Sequence, residues 1–287
     1  MTVADVAEVE AVTDEAFHDL DARTDRTGWP EPSHRSPAAS AGWRRRIEHE
    51  QRTDPGGCWV AEDDTGLLGA AVSTKRELTW VLATFAVRPR HQGRGVGRHL
   101  LEAATAYGDG CLRRMVTASD DPAALRRYRL AGLSLHPQML LHGRVPRAAL
   151  PVVEHVREGS LGDVDLMNSV DRRTRGSAHG PDHEVLLAEH RLVVLDRPSR
   201  SGYAYLADGG GSYLVAATDR RAATALLWEA LAASDPEVPV SVPHVTSANE
   251  WAVDVGMAAR LELRTRGYLA LQGMRPPAPY LHSGHFL

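Results

Sequence analysis

Lysine is almost missing from this chain. Lys75 is the only one, and nearly all the basic charge is arginine, which reads as a compositional bias rather than a phosphate-binding surface. Cysteine occurs only as Cys58 and Cys111, far apart and with no Cys-x-x-Cys pair. That excludes a disulfide framework and a cysteine zinc site, and it fits a reducing compartment. An excess of positive charge is also lacking, since the formal net charge is −4. A nucleic-acid partner held by a general positive field is therefore not expected. No apolar run reaches membrane-spanning length, and the N-terminus has no basic region followed by an apolar stretch. A cytoplasmic protein with no membrane partner is expected. The fourteen histidines are scattered. His179 and His183, in HGPDH, could share a helix face, but no His-Glu-x-x-His pattern surrounds them. The expectation for this pair is a surface or capping role and no metal.

What is present is globular. Hydrophobic residues make up 43% and charged residues 24% of the 287, with room for two domains. One unit reads as used twice. Thr2-Val3-Ala4-Asp5 and Ser160-Leu161-Gly162-Asp163 are both helix-capping patterns with an acid at the third helical position. Val6, Val9 and Val12 then match Val164, Met167 and Val170 at helical spacing. The second copy is preceded by a strand-like segment over 151–159; the first has only Met1 before its cap. Domain one is thus expected to lack an opening strand, or the chain to start downstream of the original one.

The pattern predicts helices over about 3–20 and 41–52, joined by a mobile Pro/Ser/Gly-rich linker over 21–42. Strands follow at 58–63, 67–74 and 78–87, a helix from about 95, a strand near 111–119, a helix over 122–131 and a strand over 134–143. Domain one is expected over 1–145 and domain two over 150–287, with nearly the same order of elements.

The chemistry lies in RHQGRGVGRHLLEAA, residues 90–104. A strand runs into Gln92-Gly93-Arg94-Gly95-Val96-Gly97-Arg98 and then into a helix. Such a turn points free N–H groups at one spot, and the helix dipole adds positive potential there. Phosphate or diphosphate is the natural guest. The turn is neither a Walker loop, having no Gly-Lys-Ser/Thr, nor a dinucleotide Gly-x-Gly-x-x-Gly.

Here the sequence resembles the GNAT superfamily of acetyl-coenzyme A-dependent N-acyltransferases. The resemblance rests on Phe85-Ala86-Val87-x-Pro89, on Gln92-x-x-Gly95-x-Gly97, and on Asp121-Pro122 followed by Tyr128-x-x-x-Gly132-Leu133. Asp121 stands where the family usually has Asn, and Leu133 where it usually has Phe. The resemblance implies an α+β chain of two tandem GNAT-like domains, each a mixed, mostly antiparallel sheet flanked by helices. It implies that the amides of Gly93 through Arg98 hold the diphosphate of acetyl-coenzyme A, with the Arg94 and Arg98 side chains in reach of phosphates. Phe85, Ala86 and Val87 would pair with the pantetheine arm, with Gln92, Val96 and Asp121 in the same cofactor set. A primary amine of a small molecule would attack the thioester directly. Tyr128 would protonate the leaving thiolate as general acid, and strand amides near Val87 would stabilise the oxyanion.

The strand before the turn, LTWVLATFAV, carries no acid. Glu77 lies just before it and Thr84 could hold a water, so no residue is named as base. In the second half, SYLVAATDRRAATALLWEAL lines up with the strand-turn-helix, but Asp219 replaces the glycines and Ala252 the tyrosine. That half resembles the degenerate C-terminal domain of bacterial tandem GNAT proteins. Its tail, with Tyr280, His282 and His285, packs or lines a pocket. A monomer or a homodimer fits equally. The alternative to an enzyme is a non-catalytic acyl-coenzyme A sensor of the same fold.

Overall fold

Val6, Val9, Val12 and Ala16 recur at helical spacing, and they form the buried face of the first helix, α1 (Val6–Arg23). The fold is taken from a computed structural model, which describes residues 1–24 and 31–287. Ahead of α1, the Asp5 carboxylate accepts the Thr2 backbone N–H at 2.6 Å, the capping arrangement expected there. The second helix, α2 (Pro37–Thr53), starts on a Ser36 cap that accepts the Ala39 N–H, with proline at its first position. The expected linker is therefore helical at both ends, and its residues 25–30 lie outside the described residues.

The contacts divide the chain into Met1–Leu112 and Arg113–Leu287. In the first unit β1 (Cys58–Asp63), β2 (Gly66–Arg76) and β3 (Thr79–Val87) form an antiparallel run, followed by α3 (Val96–Tyr107). Trp43 and Ile47 of α2 join the valines of α1 over Leu67, Ala70 and Val72 of β2. Cys58 is part of this cluster, and burial, reinforced by Glu50 and Asp54, pushes its thiol up to about 12. It is therefore no nucleophile at neutral pH.

A charged pair sits inside this layer. Arg46 donates to both carboxylate oxygens of Glu50 at 2.8 Å, one turn apart on α2, and both are buried. Removing one partner of a buried pair leaves the other charge uncompensated. Glu50→Gln should therefore lower stability by about 3–5 kcal/mol. Replacing Arg46 and Glu50 together by methionine should cost much less. A urea unfolding series on both chains checks this; a single variant no worse than the double one refutes it.

The second unit begins with β4 (Arg113–Ala118), α4 (Pro122–Leu130), β5 (Ser134–Gly143) and β6 (Val156–Glu158). It continues with α5 (Val164–Thr174), α6 (Asp182–Glu189), β7 (Leu192–Arg197), β8 (Arg200–Leu206), β9 (Ser212–Ala217) and α7 (Arg220–Ala232). It ends with β10 (Val240–Thr246), α8 (Glu250–Ala258), β11 (Glu262–Gln272) and β12 (Tyr280–Leu281). One antiparallel set has the order β4-β11-β5-β10; the other is β12-β9-β8-β7-β6. Along β8 the side chains alternate as a strand requires. Ala204 and Leu206 pack with α7, while Tyr203 and Tyr205 pack on the opposite side with α5 and α6.

The contact division falls after Leu112, and the domains expected over 1–145 and 150–287 stay a proposal. β5, expected to close domain one, takes both its strand partners from beyond residue 240. β11 lies between β4 and β5, and its register to β5 breaks between Thr265 and Tyr268. Gly267 sits in that break at φ +66°, and a Cβ there would lie 2.3 Å from the Ala118 carbonyl oxygen. Only glycine fits. The strand expected over 151–159 shrinks to Val156–Glu158, because His155 adopts a left-handed φ of +67° and Val152 stays exposed.

Candidate active site

The glycine turn of the first unit is built as its sequence implies. Gly93 and Gly95 have φ of +76° and +90°, and Gly95 is the N-cap of α3. Such angles are open to glycine and strained for other residues. The N–H groups of Gly93, Arg94, Gly95, Val96 and Gly97 have no hydrogen-bond partner among the described residues. The expected sixth donor is already taken: the Arg98 amide donates to the Gly95 carbonyl at 2.9 Å. A Cβ built on Gly93 or Gly95 meets nothing within 4 Å, so the space in front of the turn is open. No acid lies in the first turn of α3. Five partnerless amides, an open cradle and a helix N-terminus fit an anionic diphosphate.

The surrounding side chains have assignable roles. Gln92 donates through Nε2 to the Val87 carbonyl at 3.0 Å, tying the turn to the end of β3. Arg94 and Arg98 are exposed, and the Arg98 guanidinium lies 3.8 Å from Glu102. Val96 is half-buried in the first turn of the helix. On β3, Ala86 is buried and Phe85 and Val87 are half-buried, paired with Ala70, Ala71 and Gly69 of β2. The register slips between Thr84 and Leu82, which leaves Ala83 as a bulge. Bulges re-aim strands beside functional sites. Thr84 is buried, and Arg46 donates to its Oγ1 at 3.2 Å, taking one of the two lone pairs with which it could hold a water. This link from α2 to the strand was missed in the sequence. The one signal for it was the Arg46/Glu50 spacing of four.

In the second unit, Tyr128 lies on α4 and is 4% exposed. Burial, and to a lesser degree the Asp121 charge, raise its phenol well above the ordinary tyrosine range, so it stays protonated at neutral pH. Asp121 caps α4, accepting the Ala123 and Ala124 N–H groups at 3.4 and 3.3 Å. Its role here is that of a helix cap. Gly132, at φ +88°, ends this helix, with the Leu133 amide donating to the Tyr128 carbonyl.

The counterpart helix α7 presents no such cradle. Its N-cap Asp219 accepts the Arg221 and Ala222 N–H groups at 2.8 and 3.1 Å, so the chain's own carboxylate fills the anion position. The tail does not stay loose: Tyr280 and Leu281 pair with Ala216 and Val215 as β12, and His282 is buried against Gln138 at 2.6 Å. The expected surface or capping role of His179 and His183 is wrong. Each is about 1% exposed, clustered with Asp171 of α5. The loop from α5 to α6 folds back under the tyrosines of β8, which linear spacing alone does not reveal.

The sequence model of the acetyltransferase (GNAT) family matches residues 15–133, from α1 through α4. No curated protein matches the chain. Among solved structures, a candidate acetyltransferase from Pyrococcus horikoshii is similar at 13% identity and a TM-score of 0.73, over 96% of this chain and 88% of that one. A GCN5-related N-acetyltransferase from Sphaerobacter thermophilus is 16% identical with a TM-score of 0.57, covering 95% of this chain and 93% of its own. A tandem GNAT protein from the clavulanic acid biosynthesis pathway is 14% identical with a TM-score of 0.53, covering 96% and 98%. At these identities the likeness is one of fold. Among the described residues, no helix is long and apolar enough to cross a membrane.

Proposed function

We propose, from the premise that residues 15–133 carry a domain of the GNAT family of acetyltransferases, that this chain is an N-acetyltransferase for a small-molecule primary amine. The observation that carries the reading is the turn of five partnerless amides in front of α3. Acetyl-coenzyme A supplies the acetyl group as a thioester and leaves as a thiol.

The amides of Gly93 to Gly97 bind its diphosphate, with Arg94 and Arg98 adding positive charge at the rim. The backbone of Phe85, Ala86 and Val87 pairs with the pantetheine arm, and amides near Val87 stabilise the oxyanion. Tyr128 delivers a proton to the leaving sulfur. It enters this role through the Tyr-x-x-x-Gly pattern and through burial that keeps it protonated. Gln92 and Asp121 support the site by holding the turn and capping α4. The reading makes the half that contains α7 non-catalytic, and the protein cytoplasmic, as a monomer or homodimer.

Titration calorimetry with acetyl-coenzyme A tests it. One site per chain is expected, because Asp219 occupies the equivalent position on α7. Two equivalent sites would overturn the inert role of that half, and no binding by the folded protein would overturn the whole reading. A second reading, a coenzyme A sensor without turnover, is favoured by the acid-free β3 and by Thr84 being held by Arg46. Binding without thiol release across a broad panel of primary amines would select it.

A further inference from the structure

His183 is 1% exposed, and its Nε2 has no hydrogen bond. The imidazole Nδ1 lies 3.1 Å from the Tyr205 hydroxyl. That hydroxyl has an outlet for its own proton, the Met167 sulfur at 3.9 Å. Tyr205 can therefore accept from Nδ1–H, which leaves a bare lone pair on Nε2. In that tautomer the Nε2 lone pair lies 3.3 Å from Asp171 Oδ2, with no hydrogen bond between the two atoms. Two lone pairs at that separation, sealed from water, repel unless a cation lies between them.

The rest of the cluster has the same character. Asp171 is fully buried, and its Oδ2 also lies 2.8 Å from His179 Nδ1. The outer atoms are held as ligands are usually held. His179 Nε2 is 3.3 Å from the Tyr280 hydroxyl. The Tyr203 oxygen stands beside the ligand atoms themselves, 2.5 Å from Asp171 Oδ1 and 3.3 Å from His179 Nδ1. The candidate ligand atoms of Asp171, His179 and His183 all lie within 4.8 Å of one another. Ligand atoms about 2.0–2.2 Å from a tetrahedral zinc are separated by roughly 3.4 Å. A shift of about half an ångström opens the Asp171–His179 contact to that spacing.

We propose that Asp171, His179 and His183 form a binding site for one divalent transition-metal ion of the zinc class, with the Tyr203 oxygen as fourth ligand. Two imidazoles and two oxygens suit zinc and cobalt and do not suit magnesium or calcium. The ion takes the place of the proton on His179 Nδ1, and that proton moves to Nε2, where the Tyr280 hydroxyl at 3.3 Å accepts it, so His179 ligates as a neutral imidazole. The site has no place in acetyl transfer as proposed above. It clamps α5 and α6 onto β8 and the tail strand β12.

The test uses untagged full-length chain, stripped with EDTA and titrated with cobalt(II) and with zinc. The expected result is one cobalt per chain, with the intense visible absorption of a four-coordinate site. Zinc should displace the cobalt and raise the melting temperature by about 4 °C or more. His183→Gln and Asp171→Asn should keep their far-ultraviolet dichroism and lose the cobalt spectrum. The proposal fails if the parent binds no cobalt above its buffer blank, or if the spectrum persists in both variants. Should the variants not fold, zinc-edge X-ray absorption on the parent decides. Two imidazoles with two oxygens support the site, and any other shell overturns it.

Discussion

A Gly95→Glu chain should bind acetyl-coenzyme A at least about a hundredfold more weakly than the parent, a loss of ~2.7 kcal/mol, while folding normally. The reason is local. Gly95 sits at φ +90°, where any Cβ brings strain of about 1–2 kcal/mol. A Cβ there meets nothing within 4 Å in the folded chain, so the substitution clashes with no neighbour. The added carboxylate instead enters the space the five amides face, where a diphosphate would be repelled and the amides would gain an internal acceptor. Asp219 on α7 already shows this in the same molecule, holding two N–H groups with its own side chain. Gly95→Ala is the control: it carries the strain without the charge and should lose much less. Calorimetry on the three chains separates the outcomes. Equal affinity in Gly95→Glu and parent would place the cofactor elsewhere.

Tyr128→Phe should lower kcat by about 100- to 10,000-fold, the range for losing a positioned general acid, with acetyl-coenzyme A affinity kept. In barrier terms that is about 3–5 kcal/mol. The change removes one oxygen from a side chain only 4% exposed, so α4 should stay packed. The pH profile adds a second readout. A phenol raised by burial titrates far above neutrality, so the parent rate should show no decline from Tyr128 ionisation below about pH 10. A Tyr128→Phe chain within threefold of the parent kcat would assign the proton to water and Tyr128 to the core.

The sequence carried the parts of the site that depend on backbone chemistry. Gly93, Gly95 and Gly97 announced a turn with free N–H groups before a helix, and that turn is there, with Gly93 and Gly95 at left-handed φ. The strands at β1 to β5 and the helices α3 and α4 follow from hydropathic period and turn residues, with ends off by a few positions. Asp219 set a negative charge where a diphosphate would sit on the second helix, and in the structure that carboxylate caps α7. The strand over 151–159 failed since one residue, His155, left the extended region, and period-two patterning does not register a single φ.

Long-range pairing was not legible. β5 looked like the end of a domain, yet its neighbours β10 and β11 arrive from beyond residue 240, placed by complementary edges and a glycine that lets one strand slip. Arg46 and Thr84 are thirty-eight positions apart and meet through a 3.2 Å hydrogen bond. His179 and His183 looked like solvent-facing polar residues, and burial under β8 turned them into a cluster with Asp171.

By itself, then, the sequence determined the local elements, the glycine turn with its free amides before α3 and the loss of that turn in the second half. Those are properties of a few consecutive residues and their allowed φ and ψ. Only the tertiary structure decided which strands share hydrogen bonds, which charges are sealed from water and which imidazoles converge. Burial and strand pairing are set by chain segments far apart in number, and local composition cannot specify them.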